Sequence, residues 1–124
     1  MDNSVFKDFH FDVGWKASSK VMFFGKATPV VVKAKAYFEE DGVTDKQEQA
    51  YLNYSKDMKS VWDDIERLLL AFDPAAAGRF TPTMLLFDRD GGYALLCDDE
   101  QDPDNGIAVC LAPSQSVVSQ DDYL

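Results

Sequence analysis

The sequence predicts an α+β domain in which a mainly antiparallel sheet packs on one long central helix, residues 44–72. Two observations support this fold class. Between residues 44 and 72 the apolar residues recur at steps of one, three or four, which is the spacing of a single helical stripe. On both sides of this segment, short apolar runs are separated by turns of hairpin length, as expected for antiparallel strands.

Three strands are predicted before the helix. Residues 9–15 alternate between apolar and polar side chains, which is typical of a half-buried strand. A turn is expected at residues 16–19, followed by a second strand at residues 20–24 and a tight connection at Gly25. The third strand is expected to span residues 28–38, with small residues that leave room for a bulky group from the helix. The face that should receive this group carries Val30, Val32, Ala34, Ala36 and Phe38.

The central helix has clear start and stop signals. Thr44 can accept a hydrogen bond from the backbone amide of Gln47 while the Gln47 side chain reaches back, as in a capping box. Pro74 prevents continuation beyond Asp73. Good helix formers are diluted between residues 53 and 60, where we expect a bend. The stripe expected to face the sheet consists of Ala50, Tyr51, Tyr54, Met58, Val61, Trp62, Ile65, Leu68, Leu69 and Phe72.

Short strands are also predicted after the helix. Residues 88–92 form a hairpin signal, because their two glycines can supply positive φ. Residues 98–105 are predicted to form a polar loop. No internal repeat or linker divides the chain, so residues 1–124 are expected to form a single domain. The predicted strands of this half are residues 83–87, 93–97, 107–111 and 116–118.

Composition limits the cellular setting and the chemistry. No run approaches the roughly 18 apolar residues of a membrane span, and the first residues lack the pattern of a signal peptide. We therefore expect a cytoplasmic protein that does not enter a membrane. In that setting Cys97 and Cys110 are expected to be reduced core residues. The two cysteines and the single His10 fall short of the four ligands of a zinc site, so no metal site is predicted. No cofactor is predicted either.

The charge is unevenly distributed along the chain. The protein has 22 acidic and 12 basic residues, and residues 90–124 contain eight acids without any Lys or Arg. This pattern indicates either a solvated end that keeps the protein soluble or an acidic surface for a basic protein partner. Nucleic-acid binding is disfavoured because phosphate contacts need a basic surface. The residues predicted to bind a partner are Asp98, Asp99, Glu100, Asp102 and Asp104.

No catalytic residue is predicted. His10 lies on the polar phase of its strand and is expected at the surface, and the chain lacks a phosphate-binding loop, a nucleophile elbow and a zinc-protease helix. An EF-hand reading of the acidic loop fails, because counting back from Gly106 puts Pro103 and Gln101 at ligand positions. A metal-dependent or carboxylate-based enzyme at residues 98–105 stays open as an alternative.

Several segments follow one another in a recognisable order: FFGKATPVVVKAKA, VTDKQEQAYLNYSKD and IERLLLAF, then NGIAV before SQDDYL. In this order they resemble an uncharacterised bacterial family that is known only as a domain of unknown function. Members commonly carry His before the Gly of the late turn, where this chain has Asn105 before Gly106. The resemblance implies a bacterial, cytoplasmic protein without an established activity, and some such small acidic domains look like immunity proteins encoded beside toxins.

The favoured function is therefore a small acidic protein-binding module, as an immunity-type partner of a basic bacterial toxin. A self-associating housekeeping domain is the other alternative that the sequence leaves open, and the sequence does not fix the oligomeric state.

Overall fold

A computed structural model of the protein describes residues 9–11, 14–36 and 39–124. Its centre is one seven-stranded sheet, in which the strands lie side by side in the order of the sequence. Every neighbouring pair is antiparallel except β3 and β4, which are parallel. The strands are β1 (His10–Phe11), β2 (Trp15–Phe23), β3 (Lys26–Ala34), β4 (Phe80–Phe87), β5 (Tyr93–Asp99), β6 (Ile107–Ala112) and β7 (Ser116–Ser119).

The connection from β3 to β4 carries the helices that cover one face of the sheet. Parallel neighbours need such a crossover, because a hairpin turn cannot join them. After a 3-10 turn at Glu39–Asp41, this connection contains α1 (Asp45–Lys56), α2 (Met58–Phe72) and α3 (Ala76–Arg79), and a short α4 (Gln120–Tyr123) follows β7. The predicted α+β class with a mainly antiparallel sheet is confirmed.

The prediction of one long helix over residues 44–72 is wrong, because the chain leaves helical geometry at Asp57. This residue has φ −124° and ψ 33°, its backbone amide donates to the Tyr54 carbonyl, and α2 begins at Met58. The interruption lies within residues 53–60, where a bend was expected. The break lets α1 contact β4, while α2 reaches β2, β6 and β7.

The predicted capping box at the start of α1 is present. The Gln47 amide donates to Thr44 Oγ1 (3.1 Å), and the Thr44 amide donates to Gln47 Oε1 (2.9 Å). Gln47 is also fully buried, and its Nε2 donates to the carbonyl oxygens of Lys35 (2.9 Å) and Phe87 (3.1 Å). One side chain therefore ties the start of α1 to the C-terminal ends of the two parallel strands.

Replacing Gln47 by leucine should lower the free energy of unfolding by about 1–3 kcal/mol, because the two buried bonds from Nε2 and the capping bond from the Thr44 amide are lost. Each carbonyl keeps one other donor, Arg89 Nη1 for Lys35 and the Lys35 amide for Phe87. Chemical denaturation of the full chain measures this change. Gln49→Leu is the matched control, since Gln49 lies on the exposed side of the same helix and its side chain donates to the exposed Asn53. Equal losses in the two variants would contradict a special role for Gln47.

The main core lies between the helices and the sheet. Trp62, Ile65 and Leu69 of the predicted stripe are buried there. Met58 and Phe72, at the two ends of α2, were also predicted to face the core, but they are 38% and 50% exposed. Trp62 Nε1 donates to Tyr54 Oη at 2.9 Å, which satisfies both polar groups inside the core. The sheet contributes Val21, Phe23, Val30, Val32, Leu85, Phe87, Leu95, Cys97, Ile107 and Val109.

The strand boundaries before the helix differ from the prediction. The expected turn at residues 16–19 is wrong, because this segment forms the first half of β2, which starts at Trp15. Serines on both phases of this segment, Ser18 and Ser19, obscured its alternation. β3 ends at Ala34, and residues 12–13 and 37–38, which also belonged to predicted strands, lie outside the described residues.

The small residues at the end of β3 receive an aromatic group from α1, as predicted. Ala34 and Ala36 are buried in a cluster with Trp15, and Tyr51 packs against this cluster.

The second face of the sheet carries a smaller cluster. Ala94, Leu96 and Ala108 are buried on this face, and Tyr123 of α4 packs against them. In the described part of the chain no helix has the length and hydropathy that crossing a membrane requires.

Candidate functional site

Exposed carboxylates gather at the end of the sheet where β5 stops and β6 begins. They come from the end of β5, from the β5–β6 connection and from α4, which the sheet brings to the same place. We call this surface the acidic end, and it consists of Asp98, Glu100, Asp102, Asp104, Asp121 and Asp122.

Pairing of β6 with β7 brings α4 to the acidic end. Ile107 at the start of β6 lies opposite Ser119 at the end of β7. The next residue, Gln120, donates from its backbone amide to the Gly106 carbonyl (3.3 Å) and from Nε2 to the Cys97 carbonyl (2.9 Å). Asp121 and Asp122 therefore join a surface to which the sequence assigned only residues 98–104, although their charge was part of the same acidic tail.

Asp99 was predicted to bind a partner, but its side chain points into the protein. β5 extends two residues beyond the predicted end at Cys97, and strand alternation places Asp99 on the core side together with Cys97. Asp99 is only 3% exposed. The other four predicted residues are exposed at the acidic end.

Arg79 neutralises Asp99 in a two-pronged ion pair. Its Nε and Nη2 donate to the two carboxylate oxygens of Asp99, each at 2.9 Å. Its Nη1 donates to Asp73 at the end of α2 (3.1 Å), and the guanidinium lies over the Phe80 ring at 4.8 Å from the centroid. The Glu100 amide donates to the Arg79 carbonyl at 3.0 Å. This network fixes the start of the acidic loop to the ends of α2 and α3.

The hydrogen bonds of this network shift the pKa values of its members. The bonds from Arg79 hold the pKa of Asp99 below its usual value, against the opposing effect of burial. The pKa of Asp73 is lowered first by the bond from the Ala75 amide and then by Arg79. The bonds to Asp99 and Asp73 raise the pKa of Arg79. All three groups are therefore charged at neutral pH.

Backbone turns give the rest of the loop a defined shape. The amides of Asn105 and Gly106 donate to the Asp102 carbonyl, and Asn105 Nδ2 lies 3.3 Å from the Asp102 carboxylate oxygens. Gly106 has φ +70°, and a Cβ atom there would lie 2.5 Å from the Cys97 carbonyl oxygen. Glycine is therefore required at the point where the loop enters β6.

A notch of about 310 Å³ lies beside the start of the loop. The exposed residues Asp98 and Glu100 line it together with the ion pair of the buried Asp99 and the half-buried Arg79. Gly78, Thr81 and Pro103 complete the lining.

The six carboxylates of the acidic end make no ion pair within the part of the chain that the structure describes. Among the described residues, no Lys or Arg nitrogen lies within 4.0 Å of any of the six. The ion pairs of Arg79 with Asp99 and Asp73 lie beside the acidic end but use none of its six carboxylates. Other ion pairs, such as those between Lys35 and Asp88 and between Lys59 and Asp63, lie elsewhere. The negative charge of this end is thus not balanced locally.

A metal site at the loop was an alternative interpretation of the sequence. Within residues 9–11, 14–36 and 39–124, no group of three or more His, Cys, Asp or Glu side chains is arranged to hold a metal ion. Asp99 is bonded to Arg79, and Asp102 contacts Asn105.

The other residues that the sequence singled out lie apart from the acidic end or inside the core. His10 is exposed on β1, as predicted. Cys97 and Cys110 are free thiols, and burial raises the pKa of Cys97. Cys97 lies on the helix side of the sheet, whereas Cys110 is half-buried on the second face.

Comparisons with known proteins found no matching family model, no matching curated protein and no matching solved structure. The resemblance to an uncharacterised bacterial family therefore stays a prediction.

Proposed function

We propose that this protein is a binding module that recognises a basic protein partner through its acidic end. The single observation that supports this function best is the set of six exposed carboxylates without a cationic partner among the described residues. Charges of one sign that are concentrated on one surface attract a complementary partner and repel wrong ones.

The fixed start of the loop favours recognition over simple solvation. Asp98 and Glu100 flank Asp99, whose carboxylate is held by Arg79, so their backbone positions are set before a partner arrives. A surface that is ordered in advance loses less conformational entropy on binding.

The notch beside the loop suits a long cationic side chain. Its walls carry the exposed carboxylates of Asp98 and Glu100. A lysine or arginine of the partner can place its charge between them, while its aliphatic stem contacts Pro103.

The partner that fits this surface best is a basic bacterial toxin, for which the protein acts as an immunity-type inhibitor in the cytoplasm. Toxins that attack nucleic acids or membranes carry basic surfaces, because their targets are anionic. An acidic inhibitor associates rapidly with such a surface, and its association rate falls as salt is added.

Co-expression tests this function. The polypeptide encoded beside this gene should be basic and should arrest growth when expressed alone, and the present protein should restore growth. A variant with Asp98→Asn, Glu100→Gln and Asp104→Asn should lose at least tenfold in affinity for that polypeptide, because removing close charge pairs across an interface costs about 1.5 kcal/mol or more.

The matched control carries Glu39→Gln, Glu40→Gln and Asp57→Asn, which changes the charge equally at exposed positions outside the acidic end. This control should protect as well as the unmodified protein. Equal protection by both triple variants, or a neighbouring gene that encodes no toxic basic polypeptide, counts against the proposed function.

A further inference from the structure

The segment Gln120–Leu124 lies across the second face of the sheet, and we call it the strap. It crosses the buried residues Ala94, Leu96 and Ala108, and Tyr123 is its contact with them. Half-buried Met84, Cys110 and Val118 surround these three residues. The strap therefore covers an apolar patch that faces away from the helices.

The strap is held at two points by side chains. At its start, Gln120 Nε2 donates to the Cys97 carbonyl at 2.9 Å. Near its end, Tyr123 Oη donates to Asp88 Oδ2 at 2.6 Å. Burial and this bond to a carboxylate raise the pKa of Tyr123, so its hydroxyl keeps the proton that it donates.

Two longer hydrogen bonds also lie at the start of the strap, from the Gln120 amide to the Gly106 carbonyl (3.3 Å) and from the Asp122 amide to Ser119 Oγ (3.2 Å). Its helix is a single turn, and helices of this length are unstable without tertiary contacts. The side chains of Asp121, Asp122 and Leu124 are exposed, with Leu124 at 69%. The position of the strap thus depends mainly on Gln120 and on Tyr123.

We infer that the strap is a releasable cover, latched by the Tyr123–Asp88 hydrogen bond, whose opening exposes the apolar patch and the Cys110 thiol. Opening also moves Asp121 and Asp122 away from the β5–β6 loop, so it removes two of the six carboxylates from the acidic end. This last consequence rests on the proposed function, whereas the latch itself does not.

The two cysteines of the protein provide a test that needs no partner. Cys110 lies in the cluster that the strap covers, whereas Cys97 is buried on the opposite side of the sheet. Labelling of each thiol by a maleimide reagent can be followed by mass spectrometry of the intact full chain and of its peptides. Cys110 is half-buried with the strap in place, and its labelling rate rises with the fraction of molecules in which the strap is open.

Tyr123→Phe keeps the ring over the patch but removes the bond to Asp88. It should raise the ratio of open to closed molecules roughly tenfold, the effect expected for a hydrogen bond to a charged group, and should therefore raise the labelling rate of Cys110. A chain that ends at Ser119 should raise this rate at least as much. Leu124→Ala, a change at an exposed position of the same strap, should leave the rate unchanged. In all of these variants the labelling rate of Cys97 should stay the same.

An unchanged rate at Cys110 in both Tyr123→Phe and the shortened chain would overturn the latch. Equal acceleration at Cys97 and Cys110 would also overturn it, because that result reports unfolding of the whole protein. Neither outcome bears on the proposed function, whose failure would show in the co-expression experiment and not in the labelling rates.

Discussion

Replacing Leu69 by alanine should lower the free energy of unfolding by about 2–5 kcal/mol. Leu69 is fully inaccessible to solvent and lies in the main core with Trp62 and Ile65. Removing its branched side chain loses the burial of three carbon atoms and leaves a cavity that close-packed neighbours cannot fill. The loss is expected to be among the largest of any single substitution in this protein.

Urea denaturation of the two variants Leu69→Ala and Leu70→Ala measures this effect with its control. Leu70 is the next residue of α2, and it is 44% exposed. Its replacement should cost less than about 1 kcal/mol. Comparable losses in the two variants would show that α2 presents a different face to the sheet.

Replacing Arg79 by methionine should give the second large effect, and this effect should depend on pH. The substitution leaves the Asp99 carboxylate buried without its cation, which is strongly destabilising at neutral pH. In the unmodified protein the pKa of Asp99 and that of Asp73 lie below their usual values. A carboxyl group of this kind contributes stability above its unfolded-state pKa, and the contribution is lost as the pH falls through its folded-state pKa.

The difference in unfolding free energy between the unmodified protein and Arg79→Met should therefore be largest near neutral pH. It should shrink below about pH 4, where carboxyl groups take up protons in both proteins. Arg67→Met provides the control, because Arg67 makes only exposed contacts, with Asp64 and Gln115, among the described side chains. A difference that stays constant from pH 7 to pH 3 would contradict the role of the ion pair.

Local signals in the sequence predicted the parts of the fold that local interactions determine. The capping box of Thr44 and Gln47 is present as predicted, because both of its hydrogen bonds join residues three positions apart. The interruption at Asp57 falls where helix formers are sparse. The turn at residues 88–92 joins β4 to β5, as its glycines indicated.

Features that depend on distant residues were missed. The parallel pairing of β3 with β4 joins strands that are separated by all three crossover helices, and no local pattern encodes it. Gln47 bonds Lys35 and Phe87, which are 12 and 40 positions away. The sequence gives no sign of these bonds, because a glutamine at a capping position needs no further partner.

The candidate site was predicted in part, for a similar reason. The acidic loop was recognised from its composition, but composition does not show which side chains point inward. Extending the alternation of Leu95 and Cys97 by one step would have placed Asp99 on the core side. Its partner Arg79 is 20 positions away, so only the folded chain reveals that this charge is neutralised.

The proposal that the acidic end binds a basic partner is tested most directly by locating the surface to which a basic polypeptide binds. The full chain, labelled with ¹⁵N, is titrated with a short oligolysine peptide, and the chemical shifts of its backbone amides are followed by NMR. The shift changes identify the residues that contact the peptide. The largest shifts should occur in residues 98–106 and 120–123, and they should reverse when salt is added. Shifts concentrated around residues 39–48, or spread evenly over the surface, would contradict a binding function of the acidic end.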